Sequence, residues 1–265
     1  MSNIQPYSRL MLVDGQTHYN FNQNPSYEKL FGDLVICEND DLSGAEMVKL
    51  GNQKYSLTKN GVYAPSCLYE NLYYPLEHYS DMYRKDLEAL IVDFAVRMGA
   101  KNVLLLREEH CQSFESKIFD AELKAGISKG INLLNIGASS QRKSATQKES
   151  SSRTQEEHRD LNYETMTKEE LHDWIKREGI IINEIPSVLS GHIKRYLETG
   201  KSSGNISKEE EVSENIKTNA QLSCVLSLAL PSMPNFISGA IQSSFRLSSS
   251  SEYSYLSKIR YEITF

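Results

Sequence analysis

The sequence contains no run of about 18 apolar residues, the length that a membrane-spanning helix requires. Its four cysteines, Cys37, Cys67, Cys111 and Cys224, lie far apart and form no CxxC pair. A disulfide framework and a structural zinc site are therefore not expected. Because the first residues lack the basic and apolar stretches of a signal peptide, we expect a soluble cytoplasmic protein. We also expect no metal or other cofactor.

Sequence motifs of the common enzyme classes are also missing, since there is no HExxH, no GxSxG and no P-loop. The formal net charge of −6 and the pI of about 5.6 argue against a nucleic-acid partner, which normally requires a basic surface. These absences favour a protein that is not an enzyme.

Three neighbouring residues are weak catalytic candidates: Glu109, His110 and Cys111 follow the apolar run 103–106. His110 would act as a base and Cys111 as a nucleophile, in a hydrolase or transferase. However, adjacent residues on a strand point to opposite faces of the sheet. The enzyme hypothesis therefore stays a competing alternative.

Two regions have helical periodicity and clear end signals. Residues 81–98 place Leu87, Leu90 and Phe94 on one face before Gly99. Thr167 and Glu170 have the spacing of a capping box, at the start of a helical insert over residues 164–200.

The rest of the chain is predicted to be strands, turns and polar loops. Asp14-Gly15 and Asn60-Gly61 are typical of tight hairpin turns, and the run 103–106 is expected to be a strand covered on both faces. Overall we predict one α+β domain over residues 1–265, with a mixed and largely antiparallel sheet. Its parts are a β-rich segment 1–80, a helix and strand over 81–137, a mobile polar loop 138–160, the helical insert 164–200, a polar linker 201–214 and antiparallel strands over 215–265.

Residues 119–137 alternate between apolar and polar side chains with a period of two, which indicates a long strand or a strand pair. The apolar side of this second amphipathic strand carries Phe119, Leu123, Ile127, Ile131 and Leu133.

The segment between Lys217 and Arg246 has no charged residue, in a chain that is 24% charged. Its residues alternate on both sides of a turn, Pro231 to Asn235, and therefore predict a β-hairpin. A strand that crosses a bilayer needs roughly 9 to 11 such residues, which both arms provide. The candidate membrane-inserting residues are Leu222, Cys224, Leu226, Leu228, Leu230, Phe236, Ile237, Ile241 and Phe245.

Two amphipathic β segments separated by helices are similar in layout to the pore-forming modules of gasdermins and of the membrane-attack-complex/perforin family. This resemblance rests on arrangement alone, so no functional residue is carried over from either family. It implies an effector that forms a homo-oligomer and inserts hairpins into membrane lipid.

Two other interpretations of the uncharged segment remain open. Such strands also form ordinary sheet cores, and they can bind a protein partner through a sheet face or edge. A basic group in the polar loop, Arg142, Lys143, Lys148 and Arg153, could attract anionic lipid or remain a solvated loop.

Overall fold

The computed structural model describes residues 8–32, 34–42, 44–50, 53–114, 116–129, 131–143, 150–159, 161, 164–202, 204–242 and 252–265. Two sheets and several helices make up the fold, which confirms the α+β prediction. The strands are β1 (Leu10–Leu12), β2 (Val35–Cys37), β3 (Met47–Leu50), β4 (Gln53–Ser56), β5 (Gly61–Pro65), β6 (Leu72–Pro75), β7 (Asn102–Ser113), β8 (Ser150–His158), β9 (Asn205–Glu211) and β10 (Glu252–Thr264). The helices are α1 (Gly15–Asn22), α2 (Pro25–Leu30), α3 (Tyr79–Arg97), α4 (Ser116–Lys129), α5 (Leu133–Lys143), α6 (Lys168–Glu178), α7 (Ser187–Thr199), α8 (Glu214–Ala229) and α9 (Asn235–Gln242).

The N-terminal sheet is mixed, with the strand order β2-β1-β5-β6-β3-β4. Neither predicted hairpin turn is present in it. Asp14 instead caps α1, because its carboxylate accepts a hydrogen bond of 2.8 Å from the amide of Thr17. Around Asn60-Gly61, β4 pairs with β3 while β5 pairs with β1 and β6, so the two flanking strands have different partners.

The second sheet is antiparallel, with the order β8-β7-β10-β9. Its inner face packs against α3 and α8 through buried residues that include Val103, Leu105 and Tyr261. Leu104 and Leu106 point to the opposite face and are half-buried, so the prediction that this run is covered on both faces is wrong.

Several local predictions are confirmed. The inward face of α3 is buried as expected, and Gly99 follows the helix with a φ of +89°. Thr167 and Glu170 form the capping box of α6, which ends at Gly179 in the left-handed conformation. On β10 a bulge between Leu256 and Lys258 interrupts the alternation of buried and exposed residues, and Leu256 is buried beside it.

Both predicted loops contain a strand. Residues 150–158 of the expected mobile loop form β8, and residues 205–211 of the expected linker form β9. Polar sequences of this kind have no apolar alternation, and they become strands here because β7 and β10 supply hydrogen-bonding partners.

A buried polar group joins β3 of the first sheet to α3. Lys49 forms an ion pair with Asp86, whose other oxygen accepts a hydrogen bond of 2.5 Å from the hydroxyl of Tyr74. Burial raises the pKa of Tyr74 well above its ordinary value. Since an unpaired charge in such a place is costly, these three side chains fix how the helix sits on the sheet.

Candidate functional site

Two connections of the second sheet, from β7 to β8 and from β9 to β10, join neighbouring strands at the same end of that sheet. The register places Ser113, the last residue of β7, opposite Glu252, the first residue of β10. Cys111 likewise lies opposite Ser150, where β8 begins. The β7–β8 connection, residues 114–149, and the β9–β10 connection, residues 212–251, therefore leave the sheet in one direction.

The first connection contains α4 and α5, not the strand predicted over residues 119–137. Phe119, Leu123 and Gly126 are buried at helical spacing, while Ala121 is exposed. An apolar residue at nearly every second position satisfies both periods, and packing against neighbouring helices selects the helical one. Of the other predicted residues, Leu133 is buried and Ile131 is 38% exposed between the helices.

The second connection contains α8 and α9, not the predicted hairpin. Leu222 and Leu226 lie one turn apart on one side of the helix and Cys224 lies on the opposite side, yet all three are buried. The helix is enclosed by α3, α5 and β10, and this explains how a segment without charge can be helical in water. Leu230, Ile237 and Ile241 are buried, Leu228 and Phe236 are half-buried, and Phe245 lies outside the described residues.

The two helical pairs touch at a glycine of α5. A Cβ atom placed on Gly137 would lie 2.6 Å from Cγ2 of Val225 on α8, so a side chain at position 137 requires the Val225 side chain to shift or to be replaced. Beside this contact, Gln221 donates a hydrogen bond of 3.4 Å to Gln141. Gln141 in turn donates one of 2.5 Å to the hydroxyl of Tyr253 on β10.

Helix α9 is held against the N-terminal helices by aromatic rings. The ring of Phe236 meets those of Phe21 and Tyr27 edge to face, each at a centroid distance of 5.8 Å. Nothing in the sequence pairs these residues, because they are brought together only by tertiary structure.

The predicted basic group is divided between two elements. Arg142 and Lys143 end α5, and Lys143 forms an ion pair with Glu122 of α4. Arg153 is on β8, with its guanidinium 3.0 Å from the carboxylate of Glu108. Lys148 lies outside the described residues. The two arginines and Lys143 therefore do not form the basic loop that the sequence suggested.

The three catalytic candidates lie on β7 and point in alternate directions. Glu109 contacts Arg84 at 3.3 Å, beside a cleft of about 410 Å³ between α3, α8 and β10. The ring of His110 packs against that of Tyr255 at 5.8 Å. Burial and the nearby Glu252 carboxylate raise the pKa of Cys111, which disfavours the thiolate that a nucleophile needs. The structure therefore does not assemble a His–Cys pair.

Within the part of the chain that the structure describes, no group of three His, Cys, Asp or Glu side chains could hold a metal ion. None of the described helices is both long enough and apolar enough to cross a membrane. Comparisons with protein families, with curated proteins and with solved structures give no significant match.

Proposed function

We propose that this chain is a cytoplasmic, non-enzymatic effector that oligomerises and inserts two β-hairpins into a membrane. In this proposal α4–α5 and α8–α9 are the stored form of the hairpins, and they convert into extensions of the strands that they connect. The observation that supports it best is that both helical connections leave the same end of one antiparallel sheet.

The lengths of the connections suit such a conversion. Two arms of a membrane-crossing hairpin with a short turn need roughly 25 residues, and both 114–149 and 212–251 exceed that. The middle of the second connection is the turn-forming stretch Pro231 to Asn235, and the middle of the first is Lys129-Gly130. Each connection can therefore supply two arms of similar length.

The chemistry of the arms also fits. In a bilayer every backbone amide and carbonyl must be paired, and adjacent extended arms would pair with one another as β7 and β10 already do. On the first connection Asp120, Glu122 and Lys124 fall on one side of the alternation, which would face a water-filled lumen. The second connection has no charge over residues 218–245 and needs no such provision.

A reversible lock on the helical form tests the proposal. Gly137→Cys with Val225→Cys is designed to join α5 to α8 by a disulfide bond. The Cβ atom of a residue at position 137 would lie 2.6 Å from Cγ2 of Val225, and a cysteine at position 225 can place its sulfur where that methyl group now lies. We expect dye-loaded vesicles of phosphatidylcholine and phosphatidylserine to leak with the reduced variant and to stay sealed with the oxidised one. Peptide mapping verifies that position 225, and not the adjacent Cys224, forms the bond.

The leakage assay is run with untreated protein and after limited proteolysis, because the trigger is unknown. Val225→Cys alone is the matched control and should leak under oxidising conditions. Equal leakage by the oxidised and reduced double variant, or no leakage by any form under any condition, would contradict the proposal.

A second candidate function is that of a binding protein that uses this sheet to hold a partner. The outer face of β7 carries Leu104 and Leu106, two apolar side chains that are only half-buried. Replacing both leucines with serine would then abolish a stoichiometric complex without changing vesicle leakage, which separates this candidate from the first.

A further inference from the structure

Among the residues that the structure describes, each of the two outermost strands of the antiparallel sheet pairs with one strand only. The strand order places β8 at one edge and β9 at the other. Residues 150–157 of β8 are all exposed, and so are most residues of β9. An exposed edge strand offers unpaired backbone groups to another strand.

We propose that the partner of these edges is a second copy of this chain, with β8 of one copy pairing antiparallel with β9 of the next. This inference rests on the proposed function, because it names the contact by which the inserting form would assemble. The contact is heterologous, so each copy uses one edge for each neighbour and the assembly can grow.

Strand direction and hydrogen bonding allow this pairing. Each strand of the sheet is antiparallel to its neighbour, so that β8 and β9 run in opposite directions and a joined sheet continues the alternation. Paired residues in such a sheet alternate between hydrogen-bonded and non-bonded types. A row of residues runs straight across the four strands of one copy, and we call the alignment in which each row continues into the next copy the straight alignment. Because each copy has four strands, the backbone N–H and C=O groups that point outward from β9 then lie opposite those that point outward from β8 of the next copy.

The charges on the two edges are complementary in that straight alignment. One row of the sheet runs Glu156, Leu105, Tyr261, Lys208, so Glu156 of one copy would lie beside Lys208 of the next. A row on the opposite face runs from Arg153 to Glu211. Opposite charges therefore meet on both faces of the joint, and no like charges are placed opposite one another.

Other alignments that keep the hydrogen-bond pattern are less favourable. A shift of two residues in one direction places Glu209 beside Glu157 and Glu210 beside Glu156, which are like charges. The shift in the other direction leaves one opposite-charge pair, Glu209 with Arg153. Only the straight alignment gives two opposite-charge pairs, Glu156 with Lys208 and Arg153 with Glu211.

Zero-length cross-linking of the wild-type protein tests the contact. A carbodiimide joins a lysine amine directly to a carboxylate, and within one chain β8 and β9 are about 14 Å apart across three strand spacings. A Lys208–Glu156 link must therefore connect two copies, and mixing ¹⁴N-labelled with ¹⁵N-labelled protein verifies this. We expect the link on vesicles of phosphatidylcholine and phosphatidylserine under the conditions that give most leakage.

Charge reversal tests the alignment. Arg153→Glu and Glu211→Arg should each lower the yield of the link by at least about tenfold, and the double variant should restore it. Arg153→Glu also meets Glu108 within its own chain, and the double variant leaves that conflict in place. Restoration would thus report on the joint between copies. Glu209→Arg is the matched control and should have little effect, because Glu209 faces the uncharged Gln155.

Leakage tests the proposed function and the Lys208–Glu156 link tests the edge pairing, so the failure of one can be told from the failure of the other. Leakage without the Lys208–Glu156 link overturns the edge pairing and leaves the proposed function standing. The link without leakage supports the pairing and counts against the proposed function. Absence of the link under every condition, or failure of the double variant to restore it, overturns this inference.

Discussion

A lysine at position 239 distinguishes the helical form of the second connection from an inserted hairpin. Gly239 lies on α9, is exposed, and has no atom within 4 Å of the place where a Cβ would be. Replacing glycine with lysine in a helix stabilises it by about 0.5–1 kcal/mol, because lysine restricts the unfolded backbone more than glycine does. We therefore expect Gly239→Lys to fold as well as the wild type.

In an extended hairpin the same position belongs to the apolar side of the alternation, with Ile241. A lysine that faces lipid near the middle of a bilayer costs about 2–4 kcal/mol on a transmembrane barrel. Added to the gain in the helical form, the bias against insertion is about 2.5–5 kcal/mol per copy, which lowers the inserted population by about 60-fold or more. Leakage from vesicles should fall accordingly.

Ser238→Lys is the matched control, because neighbouring residues of a strand point to opposite faces. Position 238 would face the lumen, where a lysine remains in water, and its side chain is half-buried in the fold. The assay is release of dye from vesicles of phosphatidylcholine and phosphatidylserine, with thermal unfolding of each variant measured in parallel. Equal leakage by both variants, with both folded, would refute the reasoning.

Three further predictions concern the stored form. Glu210→Gln should lower the free energy of unfolding by about 1–2 kcal/mol, because the Glu210 carboxylate accepts hydrogen bonds from the first amides of α7. Burial raises the pKa of Glu210, but its hydrogen bonds bring that pKa below the ordinary 4.5. The stabilisation is therefore present at neutral pH and is lost as the pH falls below about 4.5, which is measured by urea unfolding at pH 7 and pH 4. Gly137→Ala should destabilise the fold by about 1–3 kcal/mol through its clash with Val225, and chemical denaturation should show that Val225→Ala costs less stability in the Gly137→Ala background than in the wild type. Phe236→Ala removes two edge-to-face ring contacts, each contributing about 0.5–1.5 kcal/mol, and should speed hydrogen exchange of α9 and the onset of leakage; unchanged exchange would contradict the role assigned to the ring.

Elements that the sequence determined by itself carry their signals locally. The helix α6 begins at the Thr167 capping box, as expected, and it ends at Gly179; both signals act within one turn of the helix. The inward face of α3 follows from apolar spacing along the helix itself. The prediction of strands at 215–265 is confirmed for β10, where a bulge between Leu256 and Lys258 interrupts the pairing with β7.

Tertiary structure decided the segments whose residues suit two structures. Asp14 can begin a turn or cap a helix, and it caps α1. The polar residues of β8 have no pattern of their own, and they form a strand because β7 lies beside them. Residues 119–137 and 218–242 alternate as strands do, yet they also place enough apolar side chains on a helix surface to be buried. Helices α4 and α5 pack against each other and against α8, and α8 packs against α3, α5 and β10. Burial is set by neighbours far away in sequence, and a local pattern contains no information about them.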